Sequence, residues 1–317
     1  MPTSKIFCRI LFTILFYFPV SALAAPFAYV PNEGDGTISV IDIASDKVVG
    51  TIKTGPKPRG ITVSPTEDRV YLTDGKTNEF LVIDTRERKV ISRMVIGDSP
   101  EGAYVSADGK LIAVALEEEN KVALMDAASL ERLATIPVAG DNPEHSVFSP
   151  DGKWLYVSAE DANMLDVIDV ARRKQVASIE VGDRPRGIGF LSDSSRAYVA
   201  CEISSMVYVI DVASHRVVKE IKGGEFSNGV VVRPDGKRVF ISNGRDATVS
   251  AIDTKTNEII ATIPVGKRPW NMAISPSGHK LYVANGRSDS VSVIDTNTFK
   301  HIKDIKVGIR PWGVVIK

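Results

Sequence analysis

The chain has 317 residues, with 39 Lys and Arg set against 39 Asp and Glu, so its formal net charge is zero. That length suits one large domain or two ordinary ones, and 44% hydrophobic with 25% charged residues excludes a disordered or membrane-embedded composition. Balanced charge argues against nucleic acid as a partner, which would need a basic excess, and no acidic excess keeps the chain from membranes.

The first segment differs from the rest. Lys5 and Arg9 precede an apolar run from Ile10 to Val20, broken by Thr13 and Pro19, and Ser21-Ala22-Leu23-Ala24 supplies small residues at Ala22 and Ala24. This order predicts a secretory signal peptide over residues 1–24, cut after Ala24, and a periplasmic product. A retained anchor is disfavoured because the run is short for a bilayer, so no membrane span is expected after cleavage. Loss of Lys5 and Arg9, with no acid, leaves two more acids than bases. Cys8 departs too, so Cys201 is alone and no intrachain disulfide can form. In Tyr198-Val199-Ala200-Cys201 it reads as a small core residue, not a nucleophile.

From residue 25 to 317 the sequence repeats. An apolar residue followed by Asp recurs at Asp42, Asp84, Asp126, Asp169, Asp211, Asp253 and Asp295, with spacings of 42, 42, 43, 42, 42 and 42. Seven copies at this period predict an all-β, seven-bladed β-propeller with four strands per blade. The last copies show the internal order: strands over Trp270–Ser275, Lys280–Ala284, Ser290–Ile294 and Phe299–Ile305, separated by turns and by the loop Asn285 to Asp289. Ser149-Pro150-Asp151-Gly152 and Arg233-Pro234-Asp235-Gly236 carry Pro for the first central turn position and Gly for the left-handed one. The seven repeated Asp residues are expected to bond local backbone at turns, rather than to form a charged ring.

The chain ends fit together. Phe27-Ala28-Tyr29-Val30 matches a second strand and Trp312-Gly313-Val314-Val315-Ile316 a first strand. The two are expected to share one blade and close the ring, which removes the free sheet edges.

Tyr282-Val283-Ala284-Asn285, Val291 to Asp295 and Val307-Gly308-Ile309-Arg310-Pro311-Trp312-Gly313 resemble the YVTN-type β-propeller repeat family, as do Leu155 to Ser158 and Val181 to Pro185. Pro143-Glu144, Asp183 to Arg186, Glu202-Ile203, Arg268-Pro269-Trp270 and Asn285-Gly286-Arg287 resemble, more narrowly, exported propellers associated with PQQ-dependent alcohol catabolism. That resemblance implies an accessory role beside a quinoprotein dehydrogenase or its cytochrome. One copy departs from the pattern: Gly223-Gly224-Glu225-Phe226-Ser227 replaces Val-Gly-x-x-Pro.

No haem-attachment motif, phosphate loop or clustered Cys and His is present, so no cofactor, metal site or catalytic constellation is read. His215, His279 and His301 are expected to be solvated. His145 replaces the glycine of other copies next to the channel and is expected to be a packed or solvated channel residue, with general base or ligand as the alternative. In register, Arg59, Glu101, Glu144, Arg186, Asn228, Trp270 and Trp312 should ring one mouth of the channel. His145, Arg268 and Arg310 join them as candidate binding residues. An acidic sector (Glu101, Glu117 to Glu119, Glu144, Glu160, Asp161) is expected opposite a basic one (Arg245, Lys267, Arg268, Arg287, Arg310, Lys57, Arg59), interrupted by Arg184 and Arg186. Glu117 to Glu119 read as a solvated loop, with a calcium site as the alternative.

The function expected is a monomeric, non-enzymatic interaction module that docks a periplasmic protein through the charged mouth, with Trp270 and Trp312 as anchors. The alternatives are a lactonase-like hydrolase, with Arg59 or Arg186 polarising a carbonyl and Glu144 or His145 as base, and a propeller that binds a small ligand at the mouth.

Overall fold

Short runs of Val, Ile and Tyr, each closed by an Asp- or Gly-bearing turn, leave the chain little choice but antiparallel strands. The computed structural model describes residues 26–317; the expected signal peptide lies outside them. Seven four-stranded antiparallel sheets stand around a central channel. Blade one holds Phe27–Asn32, Thr37–Asp42 and Lys47–Lys53, with Val315–Ile316 as its inner strand. The inner strands of blades two to seven are Pro58–Val63, Pro100–Val105, Pro143–Phe148, Pro185–Phe190, Ser227–Val232 and Pro269–Ile274. Among the described residues no helix is long and apolar enough to cross a membrane.

The C-terminal strand is shorter than its sequence suggests. Only Val315 and Ile316 pair in register, with Tyr29 and Ala28, and an isolated bridge joins Asn32 to Pro311. Between these points Trp312 lies outside the paired register, though its N–H still donates to the Pro31 carbonyl at 2.9 Å, and its side chain lines the channel mouth. The other inner strands are irregular at the matching place: the register slips between Pro58 and Ile61, Pro100 and Ala103, and Pro143 and His145, with equivalent slips in blades five to seven. Such irregularities re-aim side chains, and here they aim the mouth residues.

The core lies between blades. Tyr156, Leu165 and Val167 of blade four, for instance, pack on Ile188, Phe190 and Val199 of blade five. Cys201 is fully buried in that layer, and burial pushes its thiol up to about 12. All seven repeated Asp residues accept backbone N–H groups two or three residues on, from Ala44 (2.8 Å) in the first to Thr298 (2.8 Å) in the last. His279 is exposed and His301 lies 2.9 Å from Asp304. His215 departs from expectation: it packs edge-on to Trp154, and its Nδ1 is 2.8 Å from the Tyr156 hydroxyl. Its left-handed backbone (φ 53°) turns the ring inward, over the blade interface.

A charged bowl at the channel mouth

Three positions of each blade build the mouth. The first is the residue after the second strand: Glu33, Gly75, Glu117, Glu160, Glu202, Gly244 and Gly286. Its N–H donates, at 2.8–3.1 Å, to the carbonyl of the second position: Arg310, Lys57, Ser99, Asn142, Arg184, Phe226 and Arg268, respectively. That bond recurs in every blade. Six of the seven second-position residues, all but Lys57, adopt a left-handed backbone with φ of 46–59°. This conformation is costly outside glycine, and it tips Arg184, Arg268 and Arg310 over the opening. The third position is Arg59, Glu101, Glu144, Arg186, Asn228, Trp270 and Trp312, at the irregular start of each inner strand.

These residues enclose a bowl of about 350 Å³. Eight of the ten sequence candidates line it: Arg59, Glu144, Arg186, Asn228, Arg268, Trp270, Arg310 and Trp312. Glu101 and His145 do not. Glu101 is 1% exposed and bonds Arg59 from behind the wall. His145, also 1% exposed, is bonded at Nδ1 to the Tyr104 hydroxyl and stacks on Trp312, their centroids 5.9 Å apart. Burial lowers its imidazole to about 4, so it is a neutral, packed residue, and it does not face the bowl as a base or ligand would. Tyr104, His145 and Trp312 together form a plug. The bowl lies on one side; on the other is a channel segment of about 220 Å³ lined by Ile61, Ile188, Met272 and Val315.

The acids of the expected acidic sector do not stand alone: Glu101, Glu144 and Glu160 are each paired by an arginine of a neighbouring blade. Arg59 pairs with Glu33 at 3.2 Å and with Glu101. Arg310 reaches Glu33 at 3.4 Å. Arg186, with only 13% of its side chain exposed, is shared by Glu144, Glu160 and Glu202, the last at 3.0 Å. Arg184 meets Glu160 at 2.9 Å, and Arg268 meets Glu202. Acid and base interleave because adjacent blades bring them within reach, as Arg186 of one blade meets Glu144 and Glu160 of its neighbour. Burial pushes Glu101 up to about 7 against the pull of Arg59, and Glu160 up to about 7 against the pull of Arg184. Glu202 is buried as well, but Arg186, Arg268 and Arg184 together overcome that burial and hold it below the usual carboxylate range.

Trp270 is partly buried and lies over Gly286, where a Cβ would stand 2.7 Å from the ring. Trp312 is 8% exposed. The indoles therefore floor and wall a cavity, and do not present a flat docking face. Glu117 to Glu119 form a single 3-10 turn: Ser99 donates to Glu117 at 2.9 Å, and Glu119 accepts from the Asp98 N–H at 3.0 Å and pairs with Lys121 at 3.1 Å. Among the described residues no group of three or more His, Cys, Asp or Glu is placed to hold a metal ion.

Sequence reasoning missed Glu33 and Asn271, and did not single out Lys57, Glu117, Glu160 or Arg184 as site residues. The signal for the acids was present: in repeat register, one residue after the second strand, Glu stands in four blades and Gly in three.

Residues 169–301 match a family model described as lactonase, 7-bladed beta-propeller, and residues 109–203 match one described as cytochrome D1 heme domain. Antigen Lp49 of Leptospira interrogans is 27% identical over 89 residues, 28% of this chain; the match spans 20% of that relative's length. Among solved structures, hydrazine synthase of Kuenenia stuttgartiensis superposes with a TM-score of 0.73 at 24% identity, covering 81% of this chain and 88% of the other. A functionally unknown protein from Desulfotomaculum acetoxidans gives 0.79 at 16%, covering 92% and 98%. Dihydro-heme d1 dehydrogenase NirN in complex with DHE gives 0.69 at 18%, covering 94% and 76%. At these identities the likeness is one of fold. The chain is a seven-bladed β-propeller, similar in part to lactonase-type and cytochrome D1-type propellers.

Proposed function

We propose that this propeller binds a small hydroxylated carboxylic acid, or the corresponding lactone, in the mouth bowl. The observation that carries this reading is the interleaved lining: six cations, four carboxylates and two amides face one enclosed space above a plug. Hydroxyl groups donate to carboxylates and accept from guanidiniums, so a polyhydroxylated molecule matches such a wall. Glu33 Oε2 accepts no hydrogen bond among the described residues, with the Arg310 guanidinium beside it at 3.4 Å, and offers such a group an acceptor. With Glu101 and Glu160 held near 7 by burial, the cluster is net positive at neutral pH, which favours a carboxylate in the ligand. The partial lactonase match agrees with this ligand class.

Haem d1 does not fit this mouth. Protein ligands to haem iron are His, Met, Cys or Tyr, none of which lines the bowl, and His145 is held by Tyr104 and Trp312. Lactone hydrolysis is the second reading, favoured by Glu160. Its carboxyl, poised near neutrality and 2.9 Å from Arg184, would take a proton from an attacking water, and Arg184 or Arg186 would stabilise the oxyanion. The wider setting we propose, from the sequence resemblance alone, is the periplasm, beside a quinoprotein dehydrogenase or its cytochrome.

Titration calorimetry with gluconate and glucono-lactone tests the binding. Measurable affinity is expected, weakened about tenfold by Asn228→Ala with Arg310→Ala. Absence of heat with both compounds sinks the reading. Lactone opening followed in a pH-stat, lost in Glu160→Gln, would make the propeller an enzyme; a rate equal to buffer leaves it a binding protein.

A further inference from the structure

The blade that breaks the repeat carries a second surface. At Gly223-Gly224-Glu225-Phe226-Ser227 the proline is lost, and Phe226 takes the left-handed position (φ 58°) that holds Arg184, Arg268 and Arg310 in other blades. Arg245 stacks over its ring at 4.2 Å from the centroid, and Arg268 lies at 5.4 Å. A cleft of about 620 Å³ opens around this pair beside the bowl, sharing Arg184 and Arg268 with its wall, and Lys267 and Arg287 complete its rim. Gly244 leaves room for the arrangement, since a Cβ there would stand 3.0 Å from the Arg268 guanidinium.

The rim is short of acid. Lys267 and Arg287 are exposed, and no carboxylate among the described residues lies within 4.0 Å of either. Arg245 has one exposed partner, Glu225, at 3.8 Å. Glu202, at the foot of the cleft, is already shared by Arg184, Arg186 and Arg268. In contrast to the bowl, whose charges are interleaved, this cleft carries five cations against one lining carboxylate, Glu202, around a partly exposed phenyl ring.

We propose that the cleft docks an acidic segment of a partner protein that brings an aromatic or aliphatic side chain onto Phe226. The rim cations are spread over two blades, so an extended acidic segment can reach more of them than a compact anion can. Isolated surface pairs contribute little, but Arg around an aromatic anchor is the composition of interface centres, and a rim rich in cations speeds encounter with a partner of opposite charge. The residues on which this docking turns, Phe226, Arg245, Lys267 and Arg287, do not line the bowl.

The test is fluorescence anisotropy with a labelled heptapeptide of six glutamates around a central phenylalanine, at fixed salt. Arg245→Glu with Arg287→Glu should weaken binding by about tenfold or more. Phe226→Ala, which removes no charge, should weaken it about threefold or more. If the reversal variant melts early, Lys267→Ala with Arg287→Ala supplies the charge reading. Equal binding by wild type and the charge variants overturns the proposal. So does an undiminished affinity in Phe226→Ala, or displacement of the peptide by an equal concentration of inorganic pyrophosphate, which would make the cleft a simple anion site.

Discussion

Arg186 shows what burial does to a charge at this mouth. Its guanidinium meets three carboxylates, and nearly all of its side chain is out of water. Desolvation is repaid only because each carboxylate also has this or another guanidinium near it. Glu101 is the less favoured member of the cluster, with a single arginine partner and its Oε2 without a hydrogen bond. Its carboxyl, near 7 when folded, holds a proton between about 4.5 and 7 that the unfolded chain has lost. Its contribution to stability is therefore largest at low pH and declines as pH rises through that window. His145 acts in the opposite sense: it stays neutral when folded down to about 4, so its contribution grows as pH rises from 4 towards 6.5. Urea denaturation of wild type and Glu101→Gln separates the two. The wild type should lose stability relative to the variant between pH 5 and 7, and the difference should be flat above 7.5. A difference that stays flat between pH 5 and 7 would show Glu101 ionised throughout in the folded chain.

At the scale of the element, the inner strands converge because glycine follows the third mouth position in five of the seven blades. A Cβ at Gly60 would stand 2.1 Å from the Glu101 carbonyl oxygen, and those at Gly187 and Gly229 would stand 2.5 Å from the carbonyls of Asn228 and Trp270. Backbone cannot yield as a side chain does, so Gly60→Ala should cost roughly 1–3 kcal/mol or more. Gly152, with φ of 72° and nothing within 4 Å of its Cβ, gives the contrast: alanine there meets only backbone strain and should cost about 1 kcal/mol. Thermal melts that rank the two the other way would mean the blades can spread at the channel. Turn chemistry was legible in advance. Asp253, for example, receives the N–H groups of Lys255 and Thr256 over two or three residues, and so short a range needs no knowledge of the rest of the fold. The swing of His215 into the blade interface was not legible, because it depends on Trp154 and Tyr156 of another blade.

For the whole molecule the question is closure. Besides the short ladder of Val315 and Ile316, the Phe27 and Lys317 backbones bond each other at 2.7 and 2.9 Å. Deletion of residues 314–317 would strip blade one of its inner strand and leave an unpaired edge along Phe27–Asn32. An open edge templates association. The shortened chain should melt several degrees lower and scatter light on heating where the full chain stays clear. An unchanged midpoint would show that blade one stands without its closing strand.

The number of blades, the order of strands within each and the local role of seven aspartates followed from the sequence itself, because all of them rest on period and on bonds spanning a few residues. The same register brought Arg59, Glu144, Arg186, Asn228, Arg268, Trp270, Arg310 and Trp312 to one bowl. Which of them would touch was decided by the tertiary structure. Arg59 meets Glu101, and Arg186 meets Glu144, across 42 residues; Arg268 meets Glu202 across 66. Those pairings depend on how far each bulged strand leans into the channel and on which rotamer fills the space. Only packed neighbouring blades impose that geometry, and no period in the chain encodes it.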